Sequence, residues 1–185
     1  LSVMRHRART GLAALLDASS LSEPPEAWHL GFVLGPRINA GGRIGDAGLG
    51  ARLLSTRDAA EAARIAVDLD GLNRERQAIE AQAVAEAEAE MDRALTEDPA
   101  LPVLVIGKSE WHPGIVGLVA ARLKERFGRP AFAFAIRPDG SATGSGRSVP
   151  GVDLGHAVRA CVEAGTARKG GGHAMAAGVT LDGAA

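Results

Sequence analysis

Ala131-Phe132-Ala133-Phe134-Ala135-Ile136-Arg137-Pro138-Asp139-Gly140-Ser141-Ala142-Thr143-Gly144-Ser145-Gly146-Arg147-Ser148 is the stretch on which the fold turns. Its first six residues read as a short apolar strand, and Pro138-Asp139-Gly140 marks a tight turn. Residues 142–148 then supply the returning arm of a hairpin. That arm carries a glycine-rich loop, Gly144-Ser145-Gly146-Arg147-Ser148, and a second follows at Gly170-Gly171-Gly172-His173. Glycine lets the backbone approach a ligand closely, and loops of this kind turn N–H groups toward phosphate or carboxylate oxygens. Arg147 and His173 add charged or ionisable donors in the same places. Either loop alone fits a plain tight turn equally well. Together, each with its cationic or ionisable residue, they favour an anion site.

The surrounding segments place this hairpin in a layered fold. Residues 103–106 form an apolar strand ending at Gly107, and 113–126 read as a helix with Pro113 near its first turn. Asp153 caps a helix running to about Cys161, and a final loop leads to a strand near 179–181. Strands alternating with helices, plus one hairpin, imply an α/β layer with a mixed β-sheet flanked by helices, starting near Pro99. Residues 57–95 are rich in Ala, Glu and Arg and predict one long helix with Gly71 as its only break. Its thin apolar stripe suits a connecting spacer, or equally a helix packed on its own domain. Residues 3–17 and 24–34 read as helices, and 47–54 as a third. Between the last two lies Gly35-Pro36-Arg37-Ile38-Asn39-Ala40-Gly41-Gly42-Arg43-Ile44-Gly45-Asp46, too dense in Gly and Pro for a regular helix.

Bulk composition narrows the classes. The 185 residues are 46% hydrophobic and 23% charged, which is ordinary for a globular chain. No apolar run is long enough to span a membrane and no signal peptide is visible, so a cytoplasmic protein is expected. A lone cysteine, Cys161, forbids an internal disulfide. The chain opens on Leu1 and reads as a piece of a longer protein. The net charge of −1 hides segments of +2 over 1–56, −7 over 57–98 and +4 over 101–185. Only the last has the sign a polyanion partner needs. With 3% aromatics, a base-stacking platform is not expected.

Chemistry-bearing residues are binding groups without an engine. The five histidines lie far apart and lack carboxylates at ligand spacing, so no hydrolytic metal site is visible. Nothing resembles a nucleophile elbow. Arg37, Asn39 and Arg43 form a second candidate anion site, against the plainer reading that the arginines pair with Asp46 or with helix carbonyls. Trp111 and His112 follow a strand and precede a helix, the edge where open α/β sheets hold ligands. Trp111 serves there as a stacking surface or as a roof of the core.

Five motifs in order carry a resemblance: Gly35–Ile44, Leu72-Asn73-Arg74-Glu75-Arg76, Trp111-His112-Pro113-Gly114-Ile115-Val116-Gly117-Leu118-Val119-Ala120, Gly144–Ser148 and Gly171-Gly172-His173-Ala174-Met175-Ala176-Ala177-Gly178. Together they resemble the RecJ family of single-stranded-DNA exonucleases in the DHH phosphoesterase superfamily. The resemblance implies that residues 1–56 are the C-terminal remnant of a DHH domain, 57–98 the connecting helix and 99–185 the DHH-associated nucleic-acid-binding domain. It further implies a missing N-terminal DHH domain in cis, whose Asp/His motifs would hold Mn²⁺ or Mg²⁺. The expected partner is single-stranded DNA with a 5′-phosphate end, in DNA repair and recombination. Ser145 and Arg147 would hold that phosphate, aided by loop amides at Gly146 and Ser148. Gly171, Gly172 and His173 would lie near the scissile region, with His173 a possible active-site contact. Arg37, Asn39 and Arg43 would line the groove between the domains and touch the DNA backbone, joined as contacts by Trp111 and His112. The fragment itself would bind and not cleave. The alternatives are a superfamily phosphodiesterase acting on cyclic dinucleotides or very short RNA, and an accessory module like that of alanyl-tRNA synthetase.

Overall fold

The computed structural model describes residues 1–183, and contacts divide the chain into two units, Leu1–Ala78 and Ile79–Ala185. The first is helical: α1 (Ser2–Arg5), α2 (Thr10–Ala18), α3 (Ala27–His29), α4 (Gly35–Ile44), α5 (Gly48–Ser55) and the first half of α6 (Ala59–Glu97). Leu15, Leu16, Leu34, Leu53, Ile65 and Leu69 form its core.

Sequence and structure part company at three places here. The helix expected over 3–17 is interrupted, because Arg7 adopts a left-handed φ of 52° and α2 restarts only at Thr10. The helix expected over 24–34 starts at Ala27 and passes through a π-helical turn, Leu30–Leu34. Residues 35–46 are mostly helix, not an irregular loop. Pro36 sits in the first turn, where its missing N–H has no bond to lose. The glycines there serve packing: a Cβ on Gly41 would lie 2.5 Å from the Asp46 carbonyl oxygen. On α5, one at Gly50 would lie 2.8 Å from that of Ile38.

Helix α6 runs unbroken for 39 residues. Asp58 starts it by accepting from the amides of Ala60 (2.8 Å) and Glu61 (3.1 Å). Gly71 does not break it, and no atom lies within 4 Å of where its Cβ would stand. Its thin stripe is packed along both halves of the helix. Ala62, Ile65, Ala66 and Leu69 are buried in the first unit's core, and Ala83, Ala87 and Met91 in the second's. Alanine admits close approach of neighbouring elements, so a narrow stripe still makes a dense seam.

The second unit holds a five-stranded sheet in the order β1-β2-β3-β5-β4. Its strands are β1 (Leu104–Lys108), β2 (Ala131–Ile136), β3 (Ala142–Arg147), β4 (Lys169–His173) and β5 (Ala176–Leu181). Only β1 and β2 run parallel, joined by α7 (Val116–Phe127); the other pairs are antiparallel. Helix α8 (Leu154–Glu163) is capped by Asp153, whose carboxylate accepts from the His156 amide at 2.8 Å. The mixed α/β sheet with flanking helices matches the expectation. The returning arm expected over 142–148 is strand β3, so the glycine-rich run it carries is extended and not a loop, and the run at 170–173 is strand β4.

Register explains why glycine recurs there. Cross-strand partners share a face, and faces alternate along a strand. One face carries Phe132 and Phe134 opposite Gly146 and Gly144, then Ala177 and Val179. A Cβ on Gly144 would stand 2.3 Å from the Phe134 ring, and one on Gly146 2.5 Å from the Phe132 ring. The rings lie across β3 only because β3 has no side chains there. Helix α8 covers this face over β4 and β5. Helix α7 covers the other face over β2 and β3, against Leu104, Ile106, Ala131 and Ala133. Each helix thus covers one half of the sheet on one face. The α7-side face over β5 and β4 is left bare by the unit's own helices.

Two stability outcomes follow. Gly144→Ala is expected to destabilise the chain by about 1–3 kcal/mol in urea unfolding through overpacking, while Gly178→Ala on the bare face stays within about 0.5 kcal/mol. Equal costs would contradict the face assignment. Gly71→Ala is expected to stabilise by about 0.5–1 kcal/mol, read in the same way, since only helix propensity changes; a loss would show that the helix bends there.

Candidate nucleic-acid interface

Four of the residues singled out in sequence share the α7-side face of the sheet. Arg147 pairs with Ala176, which pairs with His173; one step along, Ser145 pairs with Gly178 and Gly178 with Gly171. All point to one side. Arg147 and His173 stand two strands apart, roughly 10 Å at about 4.8 Å per strand. The Arg147 Nη1 donates to Ser145 Oγ and to the Gly146 carbonyl, both at 2.9 Å. These bonds hold the guanidinium flat beside the hydroxyl. Neither Arg147 nor His173 has a carboxylate partner among the described residues.

The start of α7 closes one end of this shelf. A Cβ on Gly117 would lie 3.0 Å from Arg147 Nη2 and 3.1 Å from Ser145 Oγ, so the helix's first turn sits on these two groups. The Leu118 and Val119 amides donate to the Ile115 carbonyl, and the turn before them carries the positive end of the helix dipole. A guanidinium, a hydroxyl and a helix N-terminus therefore converge, with exposed Gly178 as the floor beside them. Gly117 and Gly178 belong to this geometry, although in sequence they stand out only as members of longer motifs with no role of their own. The period-2 spacing of Gly178 against its neighbours was the available signal, visible only once β5 is paired with β3.

Other expected contacts stand elsewhere. Ser148 is 1% exposed, and its hydroxyl donates to the Val152 carbonyl at 2.7 Å, tying the turn that leads to α8. Gly146 lies under the Phe132 ring, and a Cβ on Gly172 would meet the Ala176 carbonyl oxygen at 2.3 Å. These three hold the fold and do not face the shelf. Trp111 is 6% exposed, buried in the second unit's core, with its indole N–H donated to Glu86 Oε2 at 3.1 Å. It is a roof, with no face left for a base. His112 is exposed, and its Nδ1 accepts from the Gly114 amide at 3.0 Å.

Trp111 and His112 border a separate cavity of about 760 Å³, lined also by Glu86, Glu90, Glu110, Lys108 and Arg93. Glu86 is held below its ordinary pKa by hydrogen bonds from Gln82 and Trp111, and stays ionised. Lys108 is committed to Glu90 at 2.5 Å, which raises its pKa. Three acidic side chains against Lys108 and Arg93 leave this lining net negative, so size does not make this cavity the anion site.

In the first unit, helix geometry sorts the three polar residues of α4. Asn39 and Arg43 are four apart and share a face, with Asn39 exposed. Arg37 turns away from them. Its Nε donates to Asp70 Oδ1 at 2.8 Å and its Nη1 to the Val33 carbonyl at 2.8 Å, while Asp70 also holds Arg74 at 3.0 Å. The plainer reading, an internal pair, describes Arg37, with Asp70 in place of Asp46. One carboxylate between two arginines leaves a net positive charge at this spot.

Comparison with known proteins places the fold and the segment. The DHHA1 domain family matches residues 100–185. The RecJ single-stranded-DNA-specific exonuclease of Dickeya dadantii is 42% identical over 179 residues, covering 95% of this chain and 31% of that protein. Its counterpart in Escherichia coli is 41% identical, again over 95% of the chain and 31% of the relative. The chain thus spans about a third of the length of these relatives. The crystal structure of RecJ from Thermus thermophilus in complex with Mg²⁺ superposes with a TM-score of 0.82 at 31% identity, covering 98% of this chain and 27% of that one. A structure of exonuclease RecJ bound to manganese gives 0.74 at 32% identity, covering 98% of this chain and 43% of that one. On these likenesses, residues 100–185 match the DHHA1 domain family, and the chain over nearly its whole length is similar to about a third of a RecJ protein.

Proposed function

We propose that this chain is the strand-gripping part of a 5′→3′ single-stranded-DNA exonuclease, and that the bare sheet face holds the strand's 5′-terminal phosphate. The observation that carries the reading is the convergence of Ser145 Oγ, the Arg147 guanidinium and the first turn of α7 on one side of the sheet. A terminal phosphate bears more charge than an internal phosphodiester and offers more oxygens to a forked donor. Three positive or donating groups, with no carboxylate paired to the guanidinium among the described residues, suit that anion. His173, exposed on the same face, then contacts the strand beyond its first phosphate. Asn39 and Arg43 serve as phosphate contacts from the first unit, with Arg37 fixed by Asp70.

Relatives solved with Mg²⁺ and with manganese support a divalent metal in the parent activity, where it would activate water and neutralise the leaving oxygen. The described residues of this chain do not fit that role. No three His, Cys, Asp or Glu side chains among them gather at ligating range. No cleavage step is therefore assigned to this chain's own side chains, and the ligands are expected from a DHH domain in cis. Such an enzyme would serve DNA repair and recombination. The relatives' names support single-stranded DNA over cyclic dinucleotides or very short RNA. No helix among the described residues is long and apolar enough to cross a membrane.

Fluorescence anisotropy with labelled single strands, with and without a 5′-phosphate, tests the reading. The chain should prefer the phosphorylated strand, and Arg147→Ala should weaken its binding by about 10-fold while removing most of that preference. Arg147→Lys should restore only part, because an ammonium cannot present the fork. Equal binding to both ends in the unsubstituted chain would refute it.

A further inference from the structure

The bare face extends past the terminal-phosphate groups, and its far end holds a second set of donors. Two residues along from Ser145, Gly178 and Gly171, the register places Thr143, Thr180 and Lys169 side by side on the same face. They line a shallow cavity of about 360 Å³ whose wall includes Gly178. Thr180 is 8% exposed as a residue; its hydroxyl makes no hydrogen bond among the described residues and stays open to solvent. Lys169 is exposed, and among the same residues its ammonium makes no ion pair or hydrogen bond. The nearest acid in sequence, Asp182, is already paired with Arg168 at 3.4 Å. A hydroxyl open to the cavity with no protein partner, beside a cation equally uncommitted, is a donor pair that an anion can engage without breaking an internal bond.

We infer that Lys169, Thr180 and Thr143 form a second subsite, for an internal phosphodiester of the strand whose 5′ end sits at Ser145 and Arg147. This rests on the reading proposed above and adds a length requirement to it. Thr143 stands four residues from Arg147 on β3, roughly 13 Å at about 3.3 Å per residue. Lys169 lies two strands further across, so its Cα is roughly 16 Å from that of Arg147. One phosphate cannot reach both. The groups are separate stations on one strand, and Gly178 and Gly171 keep the floor between them free of side chains. An internal phosphodiester has a single negative charge, which one ammonium and neutral hydroxyls match better than the charge cluster at Arg147 does.

The test uses the full chain, its Lys169→Gln and Thr180→Val variants, and two 5′-phosphorylated probes. One is an oligodeoxythymidylate of about 12 nucleotides, within the span of single-strand-binding modules; the other is the dinucleotide. Lys169→Gln should weaken the longer probe about 5-fold and lower the slope of log K against log salt by about 1, leaving the dinucleotide unchanged. Thr180→Val keeps the side-chain shape and should weaken the longer probe in the same selective way. An unchanged salt slope in Lys169→Gln, or an equal loss on both probes, overturns the subsite. The terminal-phosphate reading fails separately, if the unsubstituted chain ignores the 5′-phosphate.

Discussion

Two phenylalanine rings laid across a strand with no side chains beneath them set the geometry of the second unit. Phe132 and Phe134 occupy the space above Gly146 and Gly144, so β3 can only sit in the register observed. A one-residue slip would drive the rings into Ser145 or Thr143 and exchange the faces of the whole strand. That register sends Ser145 and Arg147 to the face opposite the rings. Pairing through β5 then adds Gly178, Gly171 and His173 to the same side. An apolar packing constraint on one face therefore fixes a polar arrangement on the other.

The two helices complete this division. Helix α8 shields the ring-bearing face over β4 and β5, and α7 shields the opposite face only as far as β3. Binding groups line the border where the cover of α7 stops, beside its first turn. A helix start supplies amides, a strand supplies a guanidinium and a hydroxyl, and the glycines of β4 and β5 keep the approach clear. The glycines of this unit thus have two different jobs. Gly144, Gly146 and Gly172 make room for protein atoms, and Gly171 and Gly178 leave room for something else.

That split marks how far the chain can be read from local rules. The hairpin around Pro138-Asp139-Gly140, the capping role of Asp153 and the α/β alternation after Pro99 all follow from such rules, and the structure has them. Residues 35–46 misled because glycine density was read as loop propensity. Glycine there relieves contacts between α4, α5 and the Gly45–Asp46 turn, a tertiary cause invisible to a local rule. The glycine-rich runs at 144–146 and 170–172 misled for the same reason, being strands whose side-chain space is taken by neighbours or left open. Ser148 and Trp111 look like ligand contacts by residue type, but burial and internal hydrogen bonds commit them to the fold. Lys169, Thr143 and Thr180 gave no signal in sequence, since only the register of β3, β5 and β4 brings them together.

The most direct test of the bare face is amide chemical-shift mapping of the isotope-labelled chain during titration with a 5′-phosphorylated single strand. The account predicts shifts concentrated at Gly117, Ser145, Arg147, Gly171 and Gly178, with Phe132, Phe134 and the amides of α8 left in place. Shifts clustered on the α8 side, or around the carboxylate-lined cavity at Glu86 and Glu90, would contradict it.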